Sequence, residues 1–201
     1  TQLGRVEAAR AGIRINTDAI DNSAGVDTSD HEVNIKILLD GLIARGLLER
    51  GKRDALLASM TDEVAVQVLD DNYAQNVVLG NAREGAAGLL NVHQRLIADF
   101  ESRGMLDRAI EFLPDDAEFA ARRAAGEGLT SPELAVLLAY VKNELTAEVT
   151  ASSLPQEAWT SSALTDYFPS RLREEFGSQF DTHPLRGEII STVICNELVN
   201  L

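Results

Sequence analysis

Hydrophobic residues recur along most of the chain at intervals of three and four, which is the spacing of a helix that buries one face. Small or helix-breaking residues separate the successive stretches, and acidic residues follow several of the breaks. The pattern predicts helices over 1–10, 30–46, 50–59, 61–78, 81–104 and 132–151, with others that start near Asp116, Ser170 and His183.

A different period occurs between Ile13 and Ile20, where apolar and polar residues alternate. Alternation with a period of two is typical of a strand. The sequence therefore predicts a mainly α fold, a multi-helix domain preceded by one short N-terminal strand.

Polar residues crowd the segment 20–32, between the predicted strand and the next predicted helix. Ser29 and Glu32 have the spacing of a capping box, in which Ser29 caps the helix and Glu32 bonds back to its amide. Ala24 and Gly25 predict a turn in which the backbone can approach a ligand closely. Since ligands of nucleotide-binding α/β folds lie at the carboxyl ends of strands, the segment fits either a helix cap or an active site.

The charge of the chain argues against two classes of partner. Lys and Arg number 18 against 32 Asp and Glu, a formal net charge of −14. This charge repels nucleic acid and anionic membranes, so we expect neither as a partner. One cysteine, Cys195, precludes an intrachain disulfide, and no signal peptide or membrane-length apolar run is present, so we expect a cytoplasmic protein.

Motifs for metals and cofactors are incomplete. His31-Glu32 begins the H-E-x-x-H zinc pattern, but position 35 is Ile. His93 and His183 have no Cys or His nearby, so we expect no metal site. The chain also lacks G-x-G-x-x-G, a P-loop and a G-x-S-x-G elbow, and therefore a complete cofactor site.

The residues from Asn22 to Glu32 resemble the N-A-G-G-V-x-x-S-x-x-E segment of glutamate dehydrogenases, with Ala24 at the first Gly. Further stretches are similar to the large, multidomain bacterial NAD-dependent members of that family, and they extend through nearly the whole chain. These are 14–18, 35–39, 71–75, 129–140, 167–169 and 183–190.

The resemblance implies a C-terminal part of an enzyme that uses NAD to deaminate L-glutamate oxidatively to 2-oxoglutarate and ammonia. Residues 1–30 would end the Rossmann-type dinucleotide-binding domain, and 31–201 would form a helical C-terminal domain. Asn22, Ala24 and Gly25 would contact the cofactor, and Ser29 a substrate carboxylate. The catalytic lysine and aspartate of the family would lie in upstream domains of the same polypeptide, so no catalytic residue is expected here.

The first residue of the chain agrees with this implication. The chain begins at Thr1 without an initiator Met, which favours a piece of a longer protein, and we expect the isolated piece to be inactive and to bind NAD poorly. We expect the full-length enzyme to be a homo-oligomer. An alternative is a noncatalytic helical assembly or regulatory domain, for which the apolar side of the last predicted helix, Ile189 to Leu198, would supply the surface.

Overall fold

The structure is a computed structural model that describes residues 1–200. Within these residues eleven α-helices and four short 3-10 helices account for all the regular structure. The α-helices are α1 Gln2–Arg10, α2 Asp18–Asp21, α3 Ser23–Ala44, α4 Arg53–Ala58, α5 Thr61–Gly85, α6 Leu90–Ser102, α7 Asp116–Ala125, α8 Ser131–Ala151, α9 Ser161–Tyr167, α10 Ser170–Phe176 and α11 Arg186–Val199. The 3-10 helices are Arg50–Lys52, Leu154–Gln156, Ala158–Thr160 and Gly177–Thr182. The prediction of a mainly helical protein is confirmed.

The chain forms two compact units, each made of two segments. Unit 1 contains Thr1–Asn22 and Ala74–Asn143, and unit 2 contains Ser23–Tyr73 and the chain from Glu144 onward. The predicted division between residues 30 and 31 is a statement about the domains of a larger enzyme, and it stays a prediction.

Unit 1 has a core of leucine, isoleucine and phenylalanine side chains from α5 to α8. Its fully buried members include Ile97, Phe100 and Phe119. Helix α8 starts where the sequence predicts, but Thr130 rather than Ser131 precedes the first turn. The carboxylate of Glu133 accepts hydrogen bonds from the backbone amide and the hydroxyl of Thr130, at 2.7 and 2.8 Å. This is the reciprocal half of a capping box, which Glu three residues after a Thr can form.

Unit 2 packs α3 and α11 against the aromatic residues of α9 and the following segments. Leu39 and Leu42 of α3, Phe168 and Ile190 are fully buried in this core. Cys195, on α11, is 1% exposed. The apolar side of α11 is therefore largely used inside the unit, whereas Leu198 near its end is 55% exposed.

The predicted strand over residues 13–20 is wrong. Residues 13–17 have no regular structure, and 18–21 are helical. The Thr17 hydroxyl accepts the Ile20 amide at 3.3 Å, which caps α2, and Arg5 donates to the Asn16 carbonyl at 2.8 Å. These bonds satisfy backbone groups that a strand would offer to a neighbouring strand, and residues 1–200 contain no strand to pair with.

The predicted capping box at Ser29 and Glu32 is also wrong, because α3 begins at Ser23, six residues earlier. Ala24 and Gly25 lie in its first turn instead of in a loop. The Ser29 hydroxyl donates to the Gly25 carbonyl at 3.2 Å, as helical Ser residues commonly do, and Glu32 pairs with Lys36 one turn later. The predicted start of a helix at residue 81 is wrong as well, because Asn81 lies within α5, which continues to Gly85, and α6 begins at Leu90.

None of the helices in the described residues combines the length and the apolar character needed to cross a membrane.

Candidate functional site

The predicted site residues lie at the junction of α2 and α3. Asn22, in unit 1, ends α2, and its amide donates to the Asp18 carbonyl at 2.9 Å. Its side chain is exposed, as are Gly25 and Ser29, whereas Ala24 is half-buried. Ala24, Gly25 and Ser29 belong to α3 in unit 2.

Hydrogen bonds to neighbouring groups hold the start of α3 in place. Asn72 of α5 donates to the Ser23 hydroxyl at 2.6 Å, and Thr28 donates to the Ala24 carbonyl at 2.7 Å. The first amides of any α-helix lack partners inside the helix and carry partial positive charge. Gly25 and Ser29 are both exposed: Gly25 lies in the first turn of α3, where a carboxylate is electrostatically favoured, and Ser29 follows one turn later.

A polar network surrounds His31 on the other side of α3. The imidazole of His31 stacks on the ring of Tyr167, with the centroids 4.4 Å apart and the planes 14° apart. The Tyr167 hydroxyl donates to Asp30 at 2.8 Å and accepts from the Asn34 side chain at 2.8 Å. These bonds fix the tyrosine ring, and the tyrosine ring in turn fixes the orientation of the imidazole.

Burial sets the protonation states of this network. It lowers the pKa of His31 below the usual value, and the opposing effect of Asp30 and Asp71 is smaller. Burial raises the pKa of Tyr167 strongly, and Asp30 adds to that increase against the hydrogen bond from Asn34. Near neutral pH the imidazole is therefore neutral and the phenol keeps its proton.

His183 has a structural role in the same unit. Its Nε2 lies 3.1 Å from the Asn34 carbonyl oxygen, and its Nδ1 accepts the Leu185 amide at 3.1 Å. A carbonyl only accepts and a backbone amide only donates, so the ring is the neutral tautomer that carries hydrogen on Nε2. Both nitrogens are used in joining α3 to the start of α11.

Comparisons with known proteins decide the family. A family model described as "Bacterial NAD-glutamate dehydrogenase, catalytic domain" matches residues 1–82, and one described as "Glutamate dehydrogenase, C-terminal" matches residues 126–201. The chain is 52% identical over 200 residues to the NAD-specific glutamate dehydrogenase of Mycobacterium tuberculosis. It is 46% identical to that of Pseudomonas aeruginosa and 44% identical to that of Halomonas elongata. The chain belongs to the bacterial NAD-glutamate dehydrogenase family.

The alignments with these glutamate dehydrogenases include the whole chain but only 12% of the length of each relative. All four predicted site residues, Asn22, Ala24, Gly25 and Ser29, lie in the part that matches the catalytic-domain model. The C-terminal model matches the segment from α8 to α11.

The sequence analysis did not predict one cluster of side chains that the structure brings together. Asp27, His31 and Asp71 each offer a ligand atom, and these three atoms lie within 4.8 Å of one another. Asp27 and His31 are four residues apart and share one face of α3, but the helix predicted from residue 30 leaves Asp27 outside it, so the sequence analysis did not pair them. Asp71 could not be added to them, because its approach depends on how α5 packs against α3.

Proposed function

We propose that this chain completes the site of an NAD-dependent glutamate dehydrogenase, which oxidatively deaminates L-glutamate to 2-oxoglutarate and ammonia. The observation that carries the proposal is that residues 1–82, with the whole Asn22 to Ser29 segment, match the catalytic-domain model of that family. In this proposal residues 1–30 end a Rossmann-type domain, 31–201 form the helical C-terminal domain, and upstream domains of the same cytoplasmic polypeptide supply the proton-transferring residues.

Ser29 is the proposed contact for a carboxylate of L-glutamate. Its side chain is exposed, and its hydroxyl makes a local hydrogen bond at 3.2 Å to the Gly25 carbonyl. A neutral bond of this kind is weaker than a bond to a charged carboxylate, so the hydroxyl can exchange one acceptor for the other.

Asn22, Ala24 and Gly25 are the proposed contacts for NAD. The cofactor, when bound, accepts a hydride from the substrate. Asn22 offers an exposed amide that can donate to and accept from a carboxamide, and Gly25 offers exposed backbone without a side chain. These groups fit a role in positioning the cofactor, and the phosphate-binding loop belongs to an upstream domain.

The experiment replaces Ser29 in the full-length enzyme that carries this chain. We expect Ser29→Ala to raise the KM for glutamate about 5- to 150-fold, since one hydrogen bond to a charged group is worth about 1–3 kcal/mol. The KM for NAD should change far less. Thr28→Ala is the matched control, because Thr28 makes the same kind of local bond one residue away. Unchanged glutamate kinetics in Ser29→Ala would contradict the role of Ser29.

An assembly role is the second candidate, and it requires a surface that the unit cores do not use. Two large apolar side chains of unit 2, Trp159 and Leu198, are 66% and 55% exposed. In this proposal they contribute to contacts between copies of the full-length enzyme, a homo-oligomer. Light scattering of the full-length enzyme with Trp159→Ser and Leu198→Ser tests it, and an unchanged molar mass in both variants would contradict it.

A further inference from the structure

We propose that Asp27, His31 and Asp71 form a binding site for a divalent transition-metal ion, with Zn²⁺ as the preferred ion. The proposal goes beyond the proposed dehydrogenase function, because it adds a metal site to residues that the function assigned to Asn22, Ala24, Gly25 and Ser29 does not use. It also departs from the sequence-based expectation of no metal site, which considered only His and Cys partners.

Two helices bring the three side chains together. Asp27 and His31 are one turn apart on α3, so their side chains lie on the same face. Asp71 comes from α5, and the ligand atoms of all three residues lie within 4.8 Å of one another. All three residues belong to unit 2, so the cluster is formed inside one compact unit.

His31 gives the independent sign of a missing ligand. Its side chain is only 3% exposed, and its buried Nδ1 has no hydrogen-bond partner. Leaving a buried polar atom without a partner costs about 1–3 kcal/mol, so such atoms are rare in folded proteins. A ring nitrogen of His31 lies within 4.8 Å of the carboxylates of Asp27 and Asp71, and a metal ion held by all three would use the lone pair of the imidazole.

The surroundings of His31 suit a metal ligand. The ring is held by its stacking on Tyr167, which is fixed by hydrogen bonds with Asp30 and Asn34. Partners behind the ligands generally orient them and strengthen metal binding. Burial keeps the imidazole neutral, and the neutral ring is the form that coordinates a metal.

The donor set decides the kind of ion. One imidazole nitrogen with two carboxylate oxygens suits Zn²⁺ and similar ions better than Mg²⁺ or Ca²⁺, which prefer oxygen alone. Tetrahedral Zn²⁺ with bonds of about 2.0–2.1 Å holds its ligand atoms about 3.3 Å apart. The side chains of Asp27 and Asp71, which are half-buried, would have to rotate inward by a small amount. Three protein ligands leave a fourth position for water.

The test measures binding of zinc chloride to the 201-residue chain by calorimetry, and of Co²⁺ by visible absorption. Four variants are compared with the parent: Asp27→Asn, His31→Gln, Asp71→Asn and the control Asp70→Asn. Asp70 is an exposed acid next to Asp71, so its replacement removes the same charge without removing a proposed ligand. Far-ultraviolet circular dichroism checks that each variant is folded.

We expect about one Zn²⁺ per chain, an intense Co²⁺ band typical of tetrahedral coordination, and a loss of at least tenfold in affinity in each ligand variant. Asp70→Asn should bind like the parent. The absence of saturable binding would overturn the proposal, and so would equal losses in Asp70→Asn and Asp71→Asn, since these would mean nonspecific attraction to an acidic surface. If His31→Gln does not fold, Asp27→Asn and Asp71→Asn decide the result.

Discussion

Arg122 donates two hydrogen bonds to the carboxylate of Glu133, at 2.8 and 2.7 Å, and the two residues are 3% and 0% exposed. Burial by itself lowers the pKa of Arg122, but the bonds to Glu133 and to Glu118 outweigh it and raise the pKa. Glu133 also accepts from Thr130 at the start of α8. The pair thus joins the end of α7 to the first turn of α8 in unit 1.

Breaking this pair should destabilise the protein strongly, because Arg122 would keep a buried charge without its main partner. We expect Glu133→Gln to lower the free energy of unfolding by about 3–5 kcal/mol. Urea denaturation followed by circular dichroism measures the change. The exposed Glu127→Gln is the control and should change stability by less than about 0.5 kcal/mol. A loss below about 1 kcal/mol in Glu133→Gln would contradict this account.

Two glycines should respond in opposite directions to replacement by alanine. A Cβ at Gly128 would lie 2.4 Å from the Ala86 carbonyl carbon and 2.5 Å from the Ala87 nitrogen, so Gly128→Ala should cost about 1–3 kcal/mol. At Gly80, within α5, a Cβ meets nothing within 4 Å, and Gly80→Ala should stabilise by about 0.5–1 kcal/mol. Thermal denaturation of both variants compares them directly. A stabilising Gly128→Ala would show that the two backbones are not in close contact.

The lowered pKa of the buried His183 should make the stability of the protein depend on pH. Burial lowers its pKa below the ordinary value of about 6.5, against the raising effects of the Asn34 bond and Glu188. Below pH 6.5 the unfolded chain therefore binds more protons than the folded chain. The stabilisation is complete above that pH and is lost as the pH falls through the folded pKa.

Nitrogen NMR of the imidazole should show hydrogen on Nε2 at pH 7.5, and urea unfolding should give a lower free energy at pH 5.5 than at 7.5. Because burial also lowers the pKa of His31 and His93, the NMR titration has to be assigned to His183. A His183 pKa at or above 6.5 would contradict the prediction.

We expect the purified 201-residue chain to produce no NADH from glutamate and to bind NAD only weakly. The physical reason is that this chain contains neither a phosphate-binding glycine loop nor the lysine that the family resemblance places upstream. Absorbance of NADH and calorimetry with NAD measure the two properties. The full-length enzyme in the same assay is the positive control. Glutamate-dependent turnover by the isolated chain would overturn this expectation.

Helix prediction succeeded where caps and apolar spacing agreed. Helix α8 was predicted over 132–151 and is Ser131–Ala151, because Pro132, Glu133 and the apolar stripe all indicate the same start. The strand prediction at residues 13–20 rested on a short alternation, and Ile13 is in fact 59% exposed. A strand needs a partner strand, and local alternation cannot reveal whether one exists. Here the Thr17 hydroxyl accepts the Ile20 amide and Arg5 donates to the Asn16 carbonyl, so side chains satisfy these backbone groups.

The start of α3 shows a second limit of local reasoning. Ser29 and Glu32 have the spacing of a capping box, but residues 23–28 before them are helical too. A hydrogen bond from the Asn72 side chain to the Ser23 hydroxyl holds this earlier helix start. The cluster of Asp27, His31 and Asp71 was missed for the same reason, because Asp71 lies 40 residues after His31 in the sequence. Contacts between helices therefore determined what the sequence pattern left open.

Cys195 has a practical consequence for experiments on this protein. It is the one thiol of the chain, and α11 keeps it 1% exposed within unit 2. A thiol reagent can therefore react with the folded protein only when this part of the unit opens, so the labelling rate measures that opening without an introduced probe. The chain carries its own reporter of local unfolding.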